Sequence, residues 1–259
     1  MSQYRDIPVE KMPNHIAILP NGNRTWARQR GLSPMEGHNK GVEVIASLAR
    51  ELRVIGVHTA SVWGLSTENF ANRDKNEVEN LIRLLSYSLD KWGNEAHKDG
   101  ARLIHLGRRD RLPKKVIDLI DKWQEKTLNN TKHTLNIAFD YGGHDELLRA
   151  MKKAFDDVTE GKISFSDLEK TDGMYHDKYP YRFFKRYLDT GDQPYPYPDL
   201  IIRGAGELRL SGWMPWQSVY SELYTENVLL PDFDEELIYR ALKAYSTRDR
   251  KYGGSSDSA

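Results

Sequence analysis

The stretch HIAILPNGNRTW, residues 15–26, decides the fold. Its first five residues are short, aliphatic and β-rich, and Pro20-Asn21-Gly22 cuts them off as a strand is cut. An apolar run this short, without polar alternation, reads as a strand buried on both faces, the signature of a parallel sheet. Working outward, residues 36–54 place Val42, Ile45, Ala46, Ala49 and Leu52 at helical spacing. Residues 57–63 (VHTASVW) then read as a second strand. The pattern repeats along the chain. Further strands are predicted at 101–106, 133–139, 199–202 and 221–224, and helices at 74–97, 116–128, from Gly143 through Phe155, and 235–250. Alternation of this kind predicts an α/β fold with a mostly parallel central sheet of about six strands flanked by helices.

Composition narrows the function classes. The 259 residues carry 38 Lys+Arg against 38 Asp+Glu, a formal charge of zero, which argues against wrapping nucleic acid by bulk charge. Cysteine is absent, which removes disulfides, thiolate metal sites and thiol catalysis together. No run approaches 18 apolar residues and the N-terminus has no apolar core of a secretory signal, so no stable membrane insertion and a cytoplasmic location are expected. One domain is expected over residues 13–254, with an N-terminal arm at 1–12 and a disordered tail at 255–259. Residues 173–198, crowded with Tyr and Pro, break the pattern and read as an aromatic-capped surface excursion or as a lid.

Ligands of open α/β sheets bind outside the carboxyl ends of the strands. Four predicted strand ends are polar, and three carry glycine: 20–26, 65–70 (LSTENF), 140–143 (DYGG) and 203–211 (RGAGELRLS). Small residues let backbone N–H groups approach an oxyanion, and Arg203, Arg209 and Ser211 add donors of phosphate-binding type. The common nucleotide devices fail, because there is no G-x-x-x-x-G-K-[ST], no G-x-G-x-x-G and no H-E-x-x-H. The stretches 70–89 and 213–219 are apolar enough to line a cavity or to be ordinary core. Residue chemistry alone thus reaches an α/β protein for a phosphorylated ligand with an apolar part.

The motifs HIAILPNGNRTWA, Gly37-His38 with Gly41, LSTENF, LNIAFDYGG, DLIIRGAGELRLSGW and WQSVYSELYTENVLLPDFDE, taken in this order, resemble the cis-prenyltransferase family of undecaprenyl and dehydrodolichyl diphosphate synthases. The resemblance covers roughly residues 15–254. It implies a sheet-and-helix fold with an apolar tunnel, a homodimer, and Mg²⁺-dependent joining of prenyl diphosphates. By the same resemblance, Arg203, Arg209 and Ser211 hold the acceptor diphosphate, and Glu222 is the magnesium ligand. Gly22, Asn23 and His38 contact the donor diphosphate, with Arg24 and Thr25 beside them, and Asn69 lies near the reacting carbons. Trp26, Leu65 and Phe70 are expected in the apolar substrate pocket.

The departures from the family pattern cluster at the donor site. Asn21 stands where the family has the catalytic Asp of Asp-Gly-Asn, Thr25 and Pro34 stand where it usually has Arg, and Gly212 stands where Asn often follows the Ser. Three readings follow. One is irregular head-to-middle condensation of dimethylallyl diphosphate with a second short allylic diphosphate, the lavandulyl type, with Asn21, His38, Asn69 and Glu222 as the catalytic set. The others are regular cis-elongation with isopentenyl diphosphate, and a non-catalytic partner subunit.

Overall fold

The computed structural model describes Tyr4, residues 6–169 and residues 182–250. Six strands form one sheet: β1 (His15–Leu19), β2 (Thr59–Ser66), β3 (Ala101–Leu106), β4 (His133–Tyr141), β5 (Leu200–Arg203) and β6 (Glu222–Thr225). The spatial order is β3-β4-β2-β1-β5-β6, and every pairing is parallel. The α/β expectation is met, with a sheet wholly rather than mostly parallel. From β1 the chain first builds toward β3 and later returns to add β5 on the other side. The order therefore reverses at the β1–β5 boundary, where open α/β sheets bind their ligands.

Side chains alternate across the sheet. Ile16 and Ile18 of β1 join one core with Val62, Leu200 and Ile202, whereas Ala17 and Leu19 join another with Ile201, Tyr141 and Trp213. The first face is covered by α2 (Pro34–Val54), α4 (Lys75–Lys98), α5 (Lys114–Thr127) and α9 (Glu235–Ser246). The second is covered by α6 (Gly143–Thr159) with the chain around Tyr187 and Trp213. Two short helices, α1 (Asn23–Gln29) and α3 (Thr67–Asn72), follow β1 and β2 directly, and α7 (Phe165–Leu168) and α8 (Arg182–Lys185) flank the undescribed segment. No helix among the described residues is long and apolar enough to cross a membrane.

Local chemistry explains the helix starts. Ser33 and Glu36 form a reciprocal capping box with Pro34 at the first helical turn, and the Asp74 carboxylate accepts from the Asn76 and Glu77 amides. Strand ends diverge more from expectation. β2 begins at Thr59 rather than 57 and runs through Gly64 to Ser66, with its register against β4 shifted around Leu65. A glycine inside a strand reads as its end but here marks an irregular pairing. α9 stops at Ser246, four residues short of the expected end.

A buried polar row crosses the second face. His15 Nε2 lies 2.7 Å from Ser61 Oγ, which accepts from Asn136 Nδ2 at 2.8 Å, and Asn136 exchanges two 2.9 Å hydrogen bonds with Gln193. Gln193 belongs to the aromatic-rich stretch expected as an excursion or a lid. Residues 173–181 of that stretch lie outside the described residues, but Tyr187, Leu188 and Tyr197 beyond them are buried. The described part is thus cladding for the sheet. Tyr4 and Ile7 pack into the first core, so the described part of the N-terminal arm is docked on the domain. The expected tail at 255–259 lies outside the described residues.

Candidate active site

The loops at the carboxyl ends of β1, β2 and β5 enclose a cavity of about 900 Å³. Pro20, Asn21 and Gly22 line it from the β1 loop, followed by Asn23, Arg24, Thr25 and Arg28 of α1. Gly22 carries the turn into α1 with φ +95°, and a Cβ there would sit 2.5 Å from Leu229 Cδ2, so only glycine fits. The Asn21 carbonyl accepts from the Leu230 amide at 2.9 Å. That bond fixes the backbone of the loop beside the cavity that Asn21 lines.

His38 enters from the first turns of α2 and is 6% exposed. Its Nε2 lies 3.2 Å from Glu77 Oε1 and its Nδ1 3.4 Å from Asn23 Nδ2. The carboxylate requires a donor and the amide nitrogen an acceptor, so the proton sits on Nε2 and Nδ1 accepts. Burial lowers the His38 pKa, against the opposing pull of Glu77, which favours this neutral form. Both ring nitrogens are engaged, so His38 orients Asn23 rather than facing a ligand as a free base. Glu77 also holds Arg73 at 2.9 Å, and Arg73 lines the cavity.

Leu65, Ser66 and Asn69 line the cavity from the end of β2 and the start of α3, and Ser66 Oγ caps α3 by accepting from the Asn69 amide at 3.0 Å. Arg203, at the end of β5, is 5% exposed and lines the cavity with Ser211 and Gly212. Its Nη1 donates to the Arg209 carbonyl and to Ser211 Oγ, while its Nε is buried without a partner. Among the described residues no carboxylate pairs with it, and burial followed by the Arg209 charge lowers its pKa. Ser211 adopts φ +53° beside Gly212 at +85°, and the Gly212 carbonyl accepts from the Gly143 amide at 2.9 Å. The β5 loop is thereby stitched to the β4 loop. A serine held in the left-handed region costs about 1 kcal/mol, and such strain clusters where a site is preorganised.

Several expected residues stand elsewhere. Arg209 is 65% exposed, pairs with Glu207 and is absent from the cavity wall. Trp26 lies on the outer side of α1, where its Nε1 donates to Asp232 at 2.7 Å and Arg30 stacks on the ring at 4.4 Å. Phe70 packs on the α4–α5 core under the Arg111 guanidinium, 4.5 Å from the ring. Of the three residues expected in the apolar pocket, only Leu65 lines the cavity, because the helical step of about 100° per residue turns Trp26 away from Thr25 and Phe70 away from Asn69. Glu222 pairs in register with Leu200 at the amino end of β5, three residues before Arg203. That is about 10 Å from the site rim at 3.3 Å per residue, and its carboxylate is held by Arg248. Within one chain the fold does not bring Glu222 to the cavity.

Other residues of the wall were not anticipated as ligand contacts: Arg28, Arg73, Glu68, Trp63 and His144. Arg28 follows Arg24 by one helical turn, a spacing visible in the sequence once α1 is assigned. Trp63 stacks on Trp213 at 5.0 Å, a contact no sequence spacing reveals. Among the described residues, four arginines and a single carboxylate, Glu68, therefore line this cavity. A net positive cavity of this size suits one or two diphosphates.

A second cavity, of about 130 Å³, opens beside the first, and Gly64 lines both. Its wall is Val42, Ile45, Ala46 and Ala49 of α2, Leu81, Leu84, Leu85 and Leu89 of α4, and Val62, Leu103, Ile137 and Phe139 of the sheet. Residues that helical periodicity assigns to core thus also line an apolar cavity. The 213–219 stretch does not: Trp213 and Met214 are fully buried core.

A cation-rich cavity beside an apolar one is what a prenyl diphosphate requires, and the comparisons agree. Residues 19–253 match the family described as putative undecaprenyl diphosphate synthase. An isoprenyl transferase of Streptococcus mutans is 36% identical over 252 residues, 96% of either chain. One from Clostridium acetobutylicum is 39% identical over 249 residues, 96% of this chain and 93% of that one. Among solved structures, lavandulyl diphosphate synthase from Lavandula x intermedia, in complex with dimethylallyl diphosphate, is 32% identical with a TM-score of 0.85 over 94% of this chain and 99% of that one. A probable undecaprenyl diphosphate synthase from Campylobacter jejuni is 27% identical with a TM-score of 0.71 over 93% and 98%. With fold, cavity chemistry and similarity over nearly its whole length in accord, the chain belongs to the undecaprenyl diphosphate synthase-like cis-prenyltransferase family and is a prenyltransferase.

Proposed function

We propose that this prenyltransferase joins two short allylic diphosphates head to middle. C2 of one dimethylallyl diphosphate attacks C1 of another, the C1–O bond breaks and diphosphate leaves, and the tertiary cation formed loses a proton. The observation that carries this reading is the neutral amide of Asn21 in the cavity wall, where the family pattern has an acid, beside an intact Arg203–Ser211 cradle. A second support is size. An engineered cavity of about 150 Å³ holds benzene, so an apolar cavity of about 130 Å³ suits a five-carbon tail rather than a long chain. The fold similarity to the lavandulyl enzyme points the same way. The regular alternative, elongation with isopentenyl diphosphate, is favoured by the isoprenyl transferase relatives.

Arg203 and Ser211 hold one diphosphate through charge-assisted hydrogen bonds, and Arg24, Arg28 and Arg73 neutralise the other as its leaving oxygen gains charge. Asn23, oriented by His38, supplies an amide donor, and Asn69 faces the reacting carbons. Among the described residues no cluster of three or more His, Asp or Glu offers a preformed metal site. The oxygen donors present, the Glu68 carboxylate and the Asn21 amide oxygen, fit Mg²⁺ that keeps phosphate and water ligands. Mg²⁺ bound there would neutralise the departing diphosphate. We further propose a homodimer, with Leu148, Met151 and Phe155 of α6, each more than half exposed on one helical face, meeting a second copy.

The test is incubation with dimethylallyl diphosphate and Mg²⁺ alone, with products identified by mass spectrometry and NMR. A branched ten-carbon diphosphate is expected, and Asn21→Asp should suppress it in favour of regular elongation. Product formed only when isopentenyl diphosphate is added would overturn the reading in favour of the regular one. No turnover with any substrate pair would favour the non-catalytic partner.

A further inference from the structure

The first turn of α6 is anchored around a single unbonded side chain. The Gly143 amide donates to the Gly212 carbonyl at 2.9 Å, and a Cβ at Gly143 would sit 2.2 Å from Pro215 Cδ, so the helix starts directly against the β5 loop. A Cβ at Gly142 would lie 3.0 Å from Thr67 Oγ1, which sets the same turn against the start of α3. Asp145 is held by Arg108 at 3.0 Å and by Arg149 at 2.8 Å. The buried Glu146 accepts from Tyr141 Oη and from Gln217 Nε2. His144 stands among these fixed neighbours, is exposed, and lines the diphosphate cavity. Seven of the eight histidines lie in the described residues, and six of those have a ring nitrogen in a hydrogen bond. Among the described residues, His144 is the histidine whose ring is uncommitted.

We propose that His144 is the base that takes the proton in the last step, after the two prenyl units have joined. The inference rests on the head-to-middle reading of this cavity and deepens it by assigning the final proton transfer. A C–H bond on a carbon beside the tertiary cation breaks, its electron pair becomes the new C=C bond, and the proton goes to an imidazole nitrogen of His144. The other polar side chains of the wall fail as bases. The four arginines do not deprotonate, and the amides and hydroxyls of Asn21, Asn23, Asn69, Ser66 and Ser211 are too weakly basic. His38 has both ring nitrogens engaged, and the Glu68 carboxylate is the oxygen donor suited to Mg²⁺. A free imidazole accepts a proton near neutral pH and releases it again. Position agrees with chemistry. The α6 turn abuts the loop that carries Ser211 and the helix that carries Asn69, so His144 enters the cavity between the diphosphate cradle and the place of the reacting carbons. The charged groups around it are Arg24, Arg28, Arg73, Arg203 and Glu68 on the wall, and the bonded Asp145 and Glu146 on its own helix. Two bound diphosphates outweigh four guanidiniums, so the proton moves within an anionic site. Exposure then lets the ring return the proton to water before the next turnover.

The test follows the products rather than the rate alone. Full-length wild type and His144→Ala are incubated with dimethylallyl diphosphate and Mg²⁺, and every ten-carbon product is identified by mass spectrometry and NMR. A cation deprived of its base leaves by another exit: capture by water, cyclisation or loss of a different proton. Wild type is expected to give one alkene. In His144→Ala the share of that alkene should fall at least about tenfold, with KM for dimethylallyl diphosphate within about threefold of wild type. Free imidazole added to the buffer should restore the wild-type alkene, a rescue that a merely structural role would not show. His144→Gln keeps polar bulk without a base and should show the same loss; it replaces the alanine variant if circular dichroism shows that one unfolded. An unchanged product distribution in the folded variants overturns the proposal and leaves a diphosphate oxygen as the proton acceptor. Slower formation of the same alkene, or loss of all turnover, overturns it if imidazole restores nothing and supports it if imidazole restores the alkene. A wild type that forms product only with isopentenyl diphosphate, or none with any substrate pair, overturns the head-to-middle reading itself, and the assignment of His144 with it.

Discussion

Replacing Arg203 with methionine should make the unliganded protein more stable and the liganded one much weaker. Arg203 is 5% exposed, has no carboxylate partner among the described residues and carries a buried Nε without a hydrogen bond. Holding an unpaired ion out of water costs several kcal/mol. Two hydrogen bonds from the charged guanidinium, to the Arg209 carbonyl and Ser211 Oγ, return about 1.5 kcal/mol each. Methionine keeps the aliphatic stem, so the net gain is about 2 kcal/mol, which for a chain of this length raises Tm by about 4–8 °C. Binding moves the other way. Two charge-assisted hydrogen bonds to a diphosphate are worth about 3–6 kcal/mol together, a loss of about 10²–10⁴ in affinity. The assay is scanning calorimetry with and without inorganic pyrophosphate at fixed Mg²⁺. Wild-type protein at a hundred times Kd gains about 2.7 kcal/mol, and the variant at the same concentration should gain almost nothing. A variant whose unliganded Tm falls, or that keeps half of the wild-type ligand shift, would refute the argument that Arg203 is a charge held unpaired for substrate.

Two further predictions concern stability and assembly. Burial lowers the His15 pKa to about 4 and that of His105 likewise, so between pH 6.5 and 4 the unfolded chain binds protons that the folded chain refuses, and stability falls as pH falls. For His15 the loss from pH 7 to 5 is about 2 kcal/mol. Glu146, raised to about 7 by burial and by Asp189, acts with the opposite sign in the same window, because its folded form keeps a proton that the unfolded form releases. Urea unfolding at both pH values should therefore show a flatter profile for His15→Gln and a steeper one for Glu146→Gln, and identical profiles would contradict both assignments. Leu148→Glu with Met151→Glu should yield a monomer by sedimentation analysis. A sedimentation coefficient equal to that of the wild type would exclude the α6 face as the dimer contact.

Much of the fold was legible in the sequence because its signals are local. Strands β1 and β3 fall where their apolar runs predict, and Asp74 marks a helix start through its own hydrogen bonds, whereas α2 begins at Pro34, two residues before the expected 36, because Ser33 caps it. The β2 end was misread because Gly64 looks like a terminus when considered alone, while pairing to β4 carries the strand past it. The rim was legible for a related reason: in a parallel sheet every strand end that carries polar residues must emerge on one side, so Asn21, Ser66, Arg203 and Ser211 meet there.

What the sequence by itself determined is therefore the parallel α/β order, the family motifs and the substitution of an amide at residue 21. Only the tertiary structure decided which residues share the cavity. Trp26 and Arg24 are neighbours in sequence, yet helical rotation turns one to Asp232 and the other to the site. Glu222 and Arg203 lie on adjacent strands, but strand length separates them onto opposite rims. The apolar stripe of α2 has the spacing of core in either case. Whether Ala46 and Ala49 fill space or leave it depends on how far α4 stands away, and that distance is set by the sheet beneath them and the ion pairs at their ends.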